Sequence, residues 1–115
     1  MGQALQIRVI ATTWNPDLLE ELWPRLSELA FSIPINHERR GVLEMVRALE
    51  DGLQFMPWSE AMRAALKADI QEAGRLKIRM EEMLAQWNAH EANKLSDALE
   101  SVLDRLERTC ATCPQ

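Results

Sequence analysis

Tyrosine is absent, and glycine, cysteine and histidine are scarce, with four, two and two residues in a chain of 115. Each shortage removes a chemistry. The glycines stand at positions 2, 41, 52 and 74. They are too far apart for GxGxxG or for GxxxxGK followed by Ser or Thr, so nucleotide cradles of those kinds are excluded. No GxSxG nucleophile elbow occurs. Both histidines precede a glutamate, in His37-Glu38 and His90-Glu91, but four residues on stand Gly41 and Lys94 where a zincin needs its second His. Pro34 and Trp87 occupy the positions three residues before each His, so the Glu-x-x-His of a helical di-iron site is missing too.

Long apolar runs are also missing. None approaches the roughly 20 residues that span a bilayer. Residues 3–11 are too polar and too short for a signal-peptide core, with Arg8 in their middle. The expectation is a protein outside the membrane, in the cytoplasm. Cys110 and Cys113 form one CxxC near the end of the sequence, which is no disulfide framework. They follow a helical pattern rather than opening one, so the helix dipole disfavours thiolate there and a redox role is poor. Half of a tetrahedral zinc site remains conceivable at this pair if two chains pool their thiols. The plainer reading is a tail with incidental thiols. No cofactor is implied.

What is present is ordinary globular composition: 47% apolar, 27% charged, with 13 basic against 18 acidic residues and a net charge of −5. One domain spanning 1–115 is expected. The acidic balance counts against a protein whose main work is gripping phosphates.

Leu5, Ile7, Val9 and Ala11 alternate with Gln6, Arg8, Ile10 and Thr12, the period of a half-buried strand over 5–12. Asn15 and Pro16 then open a helix over 16–30. Pro24 falls inside its stripe of Leu19, Leu22, Leu26 and Leu29 and should kink or divide it. A second helix is predicted over 37–51, capped by Asn36 and stopped by Gly52. Ser59 caps the longest pattern: Met62, Leu66, Ile70, Ala73, Leu76, Met80, Met83 and Trp87 recur at gaps of three or four. A second seam of Leu95, Leu99, Val102 and Leu106 follows, and between the seams Asn88–Asn93 holds no large apolar residue. Two forms compete. One is a hairpin of helices 59–88 and 93–108 followed by a tail over 109–115. The other is a single helix of about 50 residues, roughly 75 Å long.

The expected fold is therefore mainly α, a small helical bundle with a long C-terminal hairpin (or one long helix) and a short N-terminal strand. The alternative is an α/β chain, in which Ile33–Ile35 and Leu53–Phe55 join 5–12 in a small parallel sheet within residues 1–58. The long one-sided seam suggests a homodimer through Met62, Leu66, Ile70, Leu76, Met80, Met83 and Trp87.

Charge is unevenly spread. Residues 63–79 carry Arg63, Lys67, Arg75, Lys77 and Arg79 against Asp69 and Glu72, a net of +3. Residues 80–107 carry seven acids against Lys94 and Arg105, a net of −5. A solvated face is the plain reading, and nucleic acid is disfavoured by the overall charge. His37, Arg39 and Arg40, with Arg75 and Arg79, are the candidates for holding an anionic ligand. Trp14 and Trp58 stand at turns before helices and are either staples over helix ends or anchors for a partner. Trp23 and Trp87 fall on stripes and are expected in the core. Together these observations favour a small, soluble, non-catalytic protein–protein interaction module. The alternatives are a small helical enzyme or anion-binding protein built on the Arg cluster, and a nucleic-acid regulator or acidic decoy.

Overall fold

The computed structural model describes residues 18–31 and 41–112, and every regular element among them is a helix. The strand expected over 5–12, the helix start at Asn15–Pro16, the Asn36 cap and the Ile33–Ile35 segment lie outside the described residues.

Pro24 divides the first helical segment in two: α1 spans Leu18–Leu22 and α2 spans Pro24–Phe31. The backbone does not lose contact across the break. Trp23 N–H still donates to the Leu19 carbonyl at 2.8 Å, and Ser27 N–H to the Trp23 carbonyl at 2.8 Å. The proline leaves the next two amides without helical acceptors. Both are taken from far away in sequence. Glu107 accepts from Arg25 N–H at 2.9 Å through Oε1 and from Leu26 N–H at 2.8 Å through Oε2. A carboxylate at the positive end of α2 also suits the helix dipole. Three residues before Glu107, Asp104 accepts through Oδ1 from the Trp23 indole Nε1–H at 2.8 Å. Trp23 itself is buried, as its stripe position implies.

Helix α3 runs Val42–Phe55, past Gly52 rather than stopping at it. Gly52 is buried and does not take the left-handed conformation with which glycine ends a helix. The end is closed from outside instead. The Arg63 guanidinium donates to the carbonyls of Leu53 and Met56, and its Nε to that of Trp58 at 3.3 Å. Five donors on a planar fork suit one side chain to several carbonyls, and its charge suits the negative end of α3. Because Leu53–Phe55 is the last turn of α3, the parallel-sheet alternative loses one of its strands.

Helix α4 spans Glu60–Ala85 and opens as expected, with Ser59 Oγ accepting from Met62 N–H at 3.2 Å. Helix α5 spans Ala89–Thr112. The chain therefore turns at 86–88, earlier than the Asn88–Asn93 lapse, and the single long helix is not formed. The longest dimension, 52 Å, is well short of what such a helix would need. Asn88 is the cap of α5, its Oδ1 accepting from Glu91 N–H at 3.2 Å. Residues 109–112 are the last turn of α5, not a tail.

Helices α4 and α5 pack along each other as an antiparallel pair, with α3 on α4, and α2 on α3 and α5. Arg105 fixes the register, reaching Asp69 at 3.2 Å and Glu72 at 2.8 Å. One core results. It joins Leu19, Leu26 and Ala30 to Met45, Val46 and Leu49, and these to Leu66, Ile70, Leu99, Leu103 and Leu106. The seam expected to meet a second copy is largely covered inside one chain: Met62, Leu66, Ile70 and Met80 are buried, and Leu76 and Met83 half-buried. A second copy is thus not required to shield it.

Two substitutions test this account. Glu107→Ala strands the two α2 amides and should lower unfolding free energy in urea by about 1–2 kcal/mol. A loss within error would mean that water serves those amides equally well. Gly74→Ala should be neutral or stabilising by up to about 1 kcal/mol. The nearest atoms a Cβ would meet there belong to the carboxylate end of Glu50, the first 2.6 Å away, a flexible and exposed group that can swing aside. A marked fall in melting temperature would show that α3 and α4 approach too closely for a methyl group.

Candidate interaction surface

The hairpin is anchored over only half its length. On α4 the main core ends at Leu76, and on α5 it begins at Leu99. Between them, residues 77–98 form a two-helix arm with a small interior of its own. Met80 and Ala92 are buried there without joining the main core, and Met83, Leu84 and Leu95 are half-buried.

Trp87 stands at the free end of this arm. The turn is a Schellman closure: Asn88 N–H donates to the Met83 carbonyl at 2.8 Å and Trp87 N–H to the Leu84 carbonyl at 3.0 Å. Its geometry places Trp87 at the position usually held by glycine, with φ of 60°. For a residue with a Cβ that conformation costs roughly 1–2 kcal/mol. Trp87 is 68% exposed, so the expectation that it closes the core stripe is corrected. Helix α4 ends two residues before it, and the helical period no longer applies. Ile78, at 56% exposed, lies on the same arm. Exposed Phe55 and Leu22 lie elsewhere, and single exposed apolar residues need no explanation. Trp87 differs because exposure and an unfavourable backbone coincide at one residue.

The missed signal was local. Asn88 followed three residues later by Glu91 is a helix-start pattern. It places the turn immediately before residue 88 and takes Trp87 off the stripe.

The other expected site residues are distributed as follows. Trp14, His37, Arg39, Arg40 and Cys113 lie outside the described residues. Trp58 is half-buried and packs against the main core. Cys110, on the last turn of α5, is also half-buried against that core. Among the described residues no three His, Cys, Asp or Glu side chains are grouped to hold a metal ion. Arg75 and Arg79 are exposed and form no ion pair among the described residues. The basic run is thinner in space than in sequence. Arg63 is spent on the end of α3 and Lys77 pairs with Glu81 at 3.0 Å. The acidic run is reduced likewise, with Glu107 and Asp104 engaged by α2 and Trp23, and Glu91 paired with Lys94 at 3.5 Å.

Glu100 is left facing like charge. Partial burial, and then the neighbouring Asp97 and Asp104, raise its pKa above the ordinary carboxylate value. No helix among the described residues is long and apolar enough to cross a membrane. No protein-family model matches the chain, and neither a curated protein nor a solved structure matches it.

The raised pKa of Glu100 has a definite sign in stability. Between its unfolded and folded pKa the native state holds the proton more tightly, so stability falls as pH rises through that window and stays lower above it. Glu100→Gln should therefore raise the melting temperature at pH 7, with the gain shrinking toward pH 4. A gain that is the same at both pH values, or a loss at pH 7, would contradict the assignment.

Proposed function

We propose that the chain is a small non-catalytic protein–protein interaction module that docks through the free end of the α4–α5 arm, with a second copy of the chain as the first partner to test. The observation that carries this reading is Trp87, exposed at 68% on a left-handed backbone. Glycine would fit that backbone better and would remove an apolar ring from water. A tryptophan there is accounted for by a contact made outside the chain, because Trp is among the residues that most often dominate binding energy. The half-buried Met83 and Leu84 beside the turn supply apolar surroundings for such a contact. Arm and core are also separable: the main core is complete without residues 77–98, so the arm is free to serve a surface role.

Trp87→Gly separates folding from binding. The variant should keep its helical signal and gain a few degrees in melting temperature, since about 1 kcal/mol moves a domain of this size by several degrees. Absolute mass by light scattering, at low and high micromolar concentration, then reads self-association. A dimer that Trp87→Gly dissociates and Phe55→Ser leaves intact supports the module with a second copy as partner. If the wild-type chain is monomeric throughout, the comparison moves to proteins retained on the immobilised chain. There, retention lost with Trp87→Gly but kept with Phe55→Ser supports a different protein partner. Indistinguishable behaviour of wild type and both variants in the two assays would sink the reading.

A further inference from the structure

We draw no further inference here: the strongest candidate beyond the turn, the half-covered apolar row of Met83, Leu84 and Leu95 along the α4–α5 arm, carries nothing because no feature of the structure shows what covers it.

Discussion

A helix end packed against other elements leaves amides or carbonyls to be paired, and in this chain the long hairpin provides partners for them. Pro24 strips two amides of their acceptors, and one carboxylate from α5 takes both. The end of α3 exposes carbonyls, and one guanidinium from α4 takes three, counting Trp58 in the connection. The signs are those the helix dipoles ask for, negative at the start of α2 and positive at the end of α3. These two side chains tie α2 and α3 to the hairpin. The apolar contacts among Leu26, Leu49, Leu66 and Leu103 then follow from that placement as much as they cause it. Hydrophobic burial supplies most of the stabilisation but is non-directional, whereas a forked carboxylate on two adjacent amides admits one orientation.

This division explains what was legible in the sequence. Apolar periodicity is a property of single helices, so α4 could be read from Met62 to Met80, and Ser59 marked its start. The proline break was legible because the ring's missing N–H acts locally. What was not legible is what depends on the partner. Nothing near Gly52 announces that Arg63 will close α3 four residues beyond the expected end at residue 51. Nothing near Pro24 announces Glu107. Both charged residues had been counted as members of surface runs. Counting charges by segment overstated the free charge on each face, since several members of each run are engaged in caps or in pairs across the hairpin.

The candidate contact residue was hidden for a related reason. Trp87 continues the gaps of three and four so well that the pattern alone assigns it to the core. Only the competing start signal at Asn88 breaks the tie, and it does so by fixing where the period ceases to apply. Trp58 illustrates the converse. Its place at a turn left a staple and an anchor open, and it packs half-buried against the main core while its carbonyl receives Arg63.

The bond from Arg25 to Glu107 joins residues 82 apart. A ribosome adding about 5–20 residues per second needs roughly 4–16 s to cover that distance. Throughout that interval the nascent α1–α2 segment has neither its cap nor the α5 surface on which it packs. Helices of five and eight residues are far below the length at which helix survives alone in water. The packing of residues 18–31 is thus completed only after α5 has emerged. Until then Leu19, Trp23 and Leu26 have only part of the apolar cover they find in the folded chain.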